Sequence, residues 1–196
     1  MRKTQVKRKT RETDILVKLN IDGKGKSKIK TGIAFLDHML ELFAKHGLFD
    51  LEIKAKGDLQ VDIHHTNEDI GICLGQGFNK ALGTKKGIRR FGDKTVPMDE
   101  ALARVVIDIS GRPFLNSDWQ VRSPESVEGY NLEYARQFLQ AMINNFPITV
   151  NISVLASGPD MHHLLEAIFK AFARSLDEAT QLDPRIKGVP STKGRL

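Results

Sequence analysis

An internal repeat constrains the fold more than any other feature of the sequence. The segment His64-His65-Thr66-Asn67-Glu68 in the first half of the chain returns 98 residues later as His162-His163-Leu164-Leu165-Glu166. Self-similarity at half the chain length indicates two copies of one structural unit that bury a common core. The repeat therefore predicts a single domain, residues 1–196, made of two fused pseudo-repeats at approximately 1–92 and 93–182.

Hydrophobic periodicity predicts the same order of elements in both halves. Alternation with a period of two indicates strands, and apolar residues three or four apart indicate helices. The predicted segments are strands 15–21 and 51–55 with helix 35–46, strands 103–109 and 148–154 with helix 132–144, and a helix after each His-His pair. We interpret each half as strand, strand, helix, strand, helix, with the boundary near 91–96. This order favours an α/β (α+β) fold in which each half is a mixed sheet with helices on one face.

Composition and charge exclude several classes of protein. The chain has 40% hydrophobic residues and one cysteine, Cys73, which rules out intrachain disulfides and thiolate zinc clusters. No apolar stretch approaches the roughly 20 residues of a membrane span, and the N-terminus lacks a secretory signal, so we expect a cytoplasmic protein without a membrane partner. The net charge of +6 is spread along the chain. That distribution argues against a nucleic-acid partner and suits a phosphorylated metabolite.

The histidines and glutamates of the repeat have the spacing of metal ligands. In a helix, residues four apart share one face, so His64 with Glu68 and His162 with Glu166 each form half of a metal site. A single His-His pair is equally consistent with a helix cap or an exposed surface, but its recurrence at equivalent positions favours metal binding.

The second histidine of each pair points about a quarter-turn away from the first and should serve a different ion. The arrangement that fits the repeat is therefore crossed. One predicted ion is bound by His162, Glu166 and His65, and the other by His64, Glu68 and His163. Imidazole and carboxylate donors without thiolate suit manganese, iron or zinc, and we expect manganese.

Five segments resemble the signature motifs of the imidazoleglycerol-phosphate dehydratase family. They are GIAFLDHML at 32–40, DIHHTNED at 62–69, DISGRP at 108–113, HHLLEA at 162–167 and PSTKG at 190–194. The resemblance implies a lyase of histidine biosynthesis that dehydrates D-erythro-imidazole glycerol phosphate to imidazole acetol phosphate. It also implies a duplicated fold similar to domain 2 of ribosomal protein S5. The implied assembly is a shell of 24 subunits built from trimers, with two manganese ions per subunit at the interfaces.

The resemblance further implies roles for individual residues. His38 joins His65, His162 and Glu166 around one ion, while His64, Glu68 and His163 hold the other. The implied substrate-binding residues are Glu12, His38, His46, His64, His65, Glu68, Arg90, Arg112, His162, Lys170, Ser191, Thr192 and Lys193. Within this set Arg90, Arg112, Lys170, Ser191 and Lys193 would bind phosphate, and the segment 183–196 would close over the substrate. Glu12, reaching the site from an adjoining subunit, and Glu166 are the implied catalytic carboxylates.

Two positions leave alternatives open. His46 stands between Lys45 and Gly47, which is typical of a helix C-terminal histidine beside its cap and equally compatible with a substrate contact. Gln137 stands where many members of the family have a histidine. An amide oxygen is a poorer donor than imidazole, so we expect the second ion to bind more weakly, unless Gln137 coordinates it or another side chain substitutes.

The chemistry implied by the family depends on the imidazole ring of the substrate. No carbonyl group acidifies the C–H bond that must break, so the ring itself has to act as the electron sink, and two metal ions binding its nitrogens would favour this. Two other classes fit part of the sequence: a metal-dependent hydrolase with the same ligands, and a non-catalytic phosphate- or RNA-binding protein that uses the basic charge.

Overall fold

Each half of the chain forms a four-stranded mixed sheet and two helices, one before and one after the last strand of that half. The computed structural model describes residues 2–117, 119 and 126–196. The first half contains β1 (Lys3–Lys9), β2 (Thr13–Asn20), β3 (Ser27–Lys30), α1 (Ala34–His46), β4 (Asp50–Gly57) and α2 (His64–Leu82). The second half contains β5 (Phe91–Met98), β6 (Ala101–Asp108), β7 (Phe114–Asn116), α3 (Leu132–Asn145), β8 (Thr149–Ala156) and α4 (Met161–Thr180).

The two sheets have the same topology. Their strand orders are β1-β2-β4-β3 and β5-β6-β8-β7, and in each sheet the short edge strand, β3 or β7, runs parallel to its neighbour. Val17 on β2 pairs with Val6 and Ile53, and all three are buried because alternate residues of a strand point to one face. Val105 and Ile152 pair in the same way in the second sheet.

The helices lie between the sheets and form most of the core. α1 packs against α4 and α2 packs against α3, so each contact joins one half of the chain to the other. Phe43 of α1 stacks on Phe172 of α4, with ring centroids 5.7 Å apart. On α2, a Cβ atom at Gly75 would lie 2.2 Å from the Met142 carbonyl oxygen of α3. Glycine at this position therefore lets the two helices approach closely.

The structure has one more strand in each half than the sequence pattern predicts. The additional strands β3 and β7 are only four and three residues long, too short for alternation to be recognised. The first strand of the chain, β1, is also weakly patterned, because Val6 is its single buried residue. The expected boundary at 91–96 falls on β5, so the connection between the halves lies upstream of Phe91.

The C-terminal segment runs along the connection between the halves. Ile88 forms an isolated antiparallel bridge with Leu182, and the Asp183 amide donates a hydrogen bond to the Gly87 carbonyl oxygen. No residue from 183 to 196 belongs to a helix or a named strand. In the described residues, no helix combines the length and hydropathy that crossing a membrane requires.

Candidate metal centre and substrate site

The two His-His pairs stand at the first turn of equivalent helices. Asp160 caps α4 by accepting a hydrogen bond from the His162 amide at 2.8 Å, and Asp62, 98 residues earlier, accepts one from the His64 amide at 3.3 Å. An aspartate before a helix satisfies amide groups that have no partner within the helix. The same local interaction therefore places both histidine pairs at half-exposed helix starts.

The first cluster consists of His38 of α1 with His162 and Glu166 of α4, and we call it the Glu166 cluster. Nε2 of His38 lies 2.9 Å and Nε2 of His162 lies 3.1 Å from Oε1 of Glu166. The ligand atoms all lie within 4.8 Å of one another. A central ion with bonds of about 2.0–2.3 Å requires separations of this order. Two imidazoles and a carboxylate suit a divalent transition metal.

Glu166 is ionised in this environment. Burial raises the pKa of its carboxyl, but hydrogen bonds from Lys170 and His38 outweigh burial and hold the pKa at about 2. Lys170 donates to Oε2 of Glu166, one turn along α4, and its Nζ lies 3.2 Å from Sδ of Met98. An ionised, nearly buried carboxylate is suited to binding a cation and unsuited to donating a proton at neutral pH.

The second cluster consists of His64 and Glu68 of α2 with Gln137 of α3, and we call it the Gln137 cluster. Nε2 of His64 lies 3.9 Å from Oε2 of Glu68. Oε1 of Gln137 lies 2.8 Å from Nδ1 of His64, on the other side of the ring, and the Gln137 amide donates to Glu133. Gln137 therefore orients His64 with Nε2 turned toward Glu68, and contributes no imidazole where the Glu166 cluster has His38.

The second histidine of each pair contacts a different partner from the first. The rings of His64 and His65 are inclined by 77°, and those of His162 and His163 by 83°. Nδ1 of His65 lies 3.0 Å from Oδ2 of Asp58. Among the described residues, the metal-binding group around Glu166 does not include His65, so a single chain does not bring the crossed ligands together.

His163 has an equivalent carboxylate partner. Its Nδ1 lies 3.1 Å from Oε2 of Glu100, which belongs to the turn between β5 and β6, and its Nε2 lies 3.8 Å from Oδ2 of Asp160. The sequence analysis did not identify Asp58 or Glu100. Neither lies at a helical spacing from its histidine, so the one signal available was the abundance of carboxylates near the two motifs.

Glu12 lies near His65. It belongs to the exposed turn between β1 and β2, and its amide donates a hydrogen bond to Oγ1 of Thr10. Thr13 anchors this turn to α2 by donating to Asp69 at 2.5 Å. Glu12 and Asp58 line the same hollow, of about 400 Å³. The hydrogen bond that His65 donates to Asp58 raises the pKa of His65 most, and the negative charge of Glu12 raises it further.

The expected phosphate-binding residues fall into two separate places. Arg90 forms a two-point ion pair with Asp108, at 2.7 and 3.0 Å, and donates to the Pro190 carbonyl oxygen at 2.9 Å. This contact brings Ser191, Thr192 and Lys193 close to Arg90. Lys170, by contrast, lies beside Met98 on α4. Ala179, whose carbonyl oxygen accepts a hydrogen bond from the Arg90 amide, lies nine residues further along the same helix, or roughly 14 Å at about 1.5 Å per residue.

The other end of the C-terminal segment reaches Arg112. Leu196 packs on Gly111, where an added Cβ would lie 2.5 Å from the Leu196 carbonyl carbon. Gly111 has a positive φ of 74°, which glycine adopts without strain. Arg112 follows it as an exposed side chain, so Arg90, Arg112 and the C-terminal segment form one basic region on the second half.

His46 lies apart from both clusters. It ends α1 and lines a pocket of about 430 Å³ with Lys45, Arg89, Lys94 and Arg174, among others. Burial lowers the pKa of His46, and the nearby charges of Lys170 and Arg174 lower it further. A neutral imidazole among cations is compatible with the helix C-terminal position predicted for it and does not by itself establish a substrate contact.

The comparisons with known proteins agree on one family. A family model described as imidazoleglycerol-phosphate dehydratase matches residues 31–176. The chain is 59% identical to the imidazoleglycerol-phosphate dehydratase of Thermoanaerobacter pseudethanolicus over 196 residues, which is 100% of both chains. It is 54% identical to that of Geobacter metallireducens, covering 100% of this chain and 99% of the relative.

Two solved structures are similar over nearly their whole length. The crystal structure of imidazoleglycerol-phosphate dehydratase from Staphylococcus aureus superposes with a TM-score of 0.80 at 39% identity, covering 92% of this chain and 99% of that chain. IGPD from Pyrococcus furiosus in complex with (S)-C348 superposes with a TM-score of 0.83 at 38% identity, covering 97% of this chain and 100% of that chain.

Proposed function

The chain belongs to the imidazoleglycerol-phosphate dehydratase family, and we propose that it uses two divalent metal ions shared between copies of the chain. Members of this family are lyases that dehydrate imidazole glycerol phosphate in histidine biosynthesis. The observation that carries this proposal is the Glu166 cluster, in which two imidazoles and an ionised carboxylate converge within 4.8 Å.

Each ion takes most of its ligands from one chain and one histidine from another. His38, His162 and Glu166 bind the first ion together with His65 of a second copy. His64 and Glu68 bind the second ion together with His163 of a second copy, and Gln137 orients His64. The contacts of His65 with Asp58 and of His163 with Glu100 support this, because a histidine outside its own cluster can face a neighbouring subunit.

Manganese is the metal we assign, two ions per subunit, because nitrogen and carboxylate donors without thiolate suit it. Bound to the ring nitrogens of the substrate, the ions would act as Lewis acids that stabilise negative charge on the imidazole. The carboxylate of Glu166 stays ionised at neutral pH and therefore serves as a ligand, with Lys170 holding its second oxygen.

Proton transfer falls to Glu12. It is exposed on a turn that is anchored to α2, in the same hollow as the partner of His65, so the copy that supplies His65 to the first ion brings Glu12 with it. A glutamate held by an anchored turn and presented to a neighbouring subunit has the freedom to act first as base and then as acid.

The substrate phosphate binds to basic and hydroxyl groups on two elements. Lys170 stands beside the Glu166 cluster, whereas Arg90, Arg112, Ser191, Thr192 and Lys193 form the basic region. Within one chain these two places lie about nine residues apart along α4, so a phosphate reaches both through the long side chains or by contacting a second copy. Arginine binds phosphate through two parallel hydrogen bonds, and the segment 183–196 can close over it.

A site divided in this way requires a closed assembly. We assign the homo-oligomer of 24 subunits that the family resemblance implies, acting in the cytoplasm on a soluble phosphorylated imidazole. Closed symmetry gives every copy the same neighbours, so each site is completed identically.

The decisive experiment measures dehydration of imidazole glycerol phosphate by the purified chain, with and without manganese and a chelator. His65→Ala and Glu166→Ala should each abolish activity and lower the metal content, while Glu41→Ala, an exposed glutamate on α1, should retain both. Mixing unfolded His65→Ala and Glu166→Ala chains and refolding them together should restore about one quarter of the first sites. Recovery of no activity in the mixture would place all ligands in one chain.

A further inference from the structure

Asp58 is placed to control the imidazole of His65. It directly follows β4, and its Oδ2 lies 3.0 Å from Nδ1 of His65 at the start of α2. Oδ1 of Asp58 is buried without a hydrogen-bond partner among the described residues, so the contact with His65 is what compensates the burial of this carboxylate. A carboxylate only accepts hydrogen bonds, so in the neutral ring of His65 Nδ1 carries the proton and Nε2 is left as the nitrogen with a lone pair.

Glu100 controls His163 in the same way. Both of its carboxylate oxygens lie within 3.2 Å of Nδ1 of His163. The loop before α4 makes room for it: an added Cβ at Gly158 would lie 2.2 Å from Cγ of Glu100, and Gly158 has a φ of 63°. The neutral ring of His163 therefore also carries its proton on Nδ1, which leaves Nε2 as the nitrogen available to a metal ion.

The two carboxylates do not occupy equivalent positions of the repeat. The position 98 residues after Asp58 is Ala156, whereas Glu100 directly precedes β6 as Glu12 directly precedes β2, so the counterpart of Glu100 is Glu12. One carboxylate follows a strand, and the other comes from a β-hairpin turn. Duplication of one unit gives equivalent residues the same partners, so two histidines that reach the same hydrogen-bonding state from unrelated positions indicate a functional requirement for that state.

We propose that Asp58 and Glu100 are positioning residues that fix His65 and His163 as Nε2 ligands for the ions completed by a neighbouring copy. This inference rests on the proposed two-metal site. A carboxylate on the far nitrogen of a ligating histidine fixes the ring orientation and makes the imidazole more basic, and its loss typically costs about 10- to 100-fold in metal affinity.

The test is a manganese titration of the metal-free protein with four variants. Asp58→Ala should weaken one class of ion by roughly 10- to 100-fold, and Glu100→Ala should weaken the other class by a similar factor. Asp58→Asn and Glu100→Gln keep an acceptor oxygen and the size of the side chain, so each should recover part of the affinity. Asp58→Ala combined with His65→Ala should lose no more than His65→Ala alone, because both act through one ligand.

Two carboxylates that contact no histidine provide matched controls. Asp93→Asn on the second sheet and Glu52→Gln on the first remove the same charge and should leave both affinities unchanged. If the unmodified protein binds no manganese, the proposed function fails. If it binds manganese and all four variants, verified as folded by circular dichroism, bind it equally well, the proposed function stands and the positioning role of Asp58 and Glu100 is refuted.

Discussion

Replacing Gly75 with alanine should separate the two helices that carry the Gln137 cluster. Gly75 lies on α2 where it touches α3, and an added Cβ would lie 2.2 Å from the Met142 carbonyl oxygen and 3.0 Å from Cβ of Asn145. A carbon and an oxygen atom normally approach to little less than about 3.2 Å, and a backbone oxygen inside a helix cannot rotate away. The helices must therefore move apart by about 1 Å.

The cost of this movement follows from packing. Overfilling a close-packed core costs about 1–3 kcal/mol, and the rigid obstacle places Gly75→Ala at the upper end. The substitution also stabilises the helix by up to about 1 kcal/mol, because alanine has a higher helix propensity than glycine. The net expectation is a destabilisation of about 2 kcal/mol, which lowers Tm by roughly 4–8 °C in a chain of this length.

Gly77→Ala is the matched control on the same helix. A Cβ at Gly77 would meet Thr4 and Leu19 at 3.6 and 3.7 Å, which are ordinary contacts. This variant therefore gains helix propensity without overpacking and should be more stable than the unmodified chain by up to about 1 kcal/mol. The two substitutions are chemically identical, so their opposite signs isolate the approach of α2 to α3.

Urea unfolding of the metal-free protein, followed by far-UV circular dichroism, measures both variants. Gly75→Ala should also bind the second ion more weakly, because His64 and Gln137 lie on the helices that separate. If Gly75→Ala is as stable as Gly77→Ala, the close contact between α2 and α3 is not a constraint on the fold, and the reasoning is wrong.

Four further outcomes are expected. Gln137→His should tighten the weaker of two classes of manganese site in calorimetry, and two equally tight sites in the unmodified protein would show that the missing imidazole is immaterial. Glu12→Gln should retain metal and substrate binding while kcat falls by roughly 10²- to 10⁴-fold, so rapid turnover would remove Glu12 from the mechanism. Lys193→Ala should raise KM about tenfold or more without changing metal content, since one charged hydrogen bond to phosphate is lost. Burial raises the pKa of the Cys73 thiol to about 11, so a thiol reagent at pH 8 should label this single cysteine only after unfolding.

Most of the fold was predictable because its elements have strong patterns. The helix predicted at 35–46 differs from α1 by one residue at its start, and the strand predicted at 51–55 lies inside β4. In both segments the apolar residues recur at the period of the structure they form. The α/β architecture with two repeated halves is confirmed by the similar crystal structures. The short β3 and β7 were missed, since their pairing depends on neighbouring strands more than on their own residues.

The candidate site was predictable only as a set of ligand types. The spacing of His162 and Glu166 indicates one helix face, and the structure places their ligand atoms 3.1 Å apart. No comparable rule links His65 to Asp58 or His163 to Glu100, because each contact joins the start of a helix to a residue in a separate loop. The family resemblance is confirmed by the matching family model and the relatives, whereas the roles of individual residues remain predictions.

The sequence identifies the types of ligand in this site, but it does not reveal which of them come from different copies of the chain. Spacing identifies residues that share a helix face, and a repeat identifies equivalent residues, but neither says whether two groups meet within one copy or between two. The structure provides the missing information, because His65 contacts Asp58 and, among the described residues, is not part of the metal-binding group around Glu166 in one chain. A site whose parts are each well formed but do not meet in one chain is evidence for assembly. The refolding of His65→Ala with Glu166→Ala chains tests that inference directly, since only a shared site regains activity when two inactive chains are mixed.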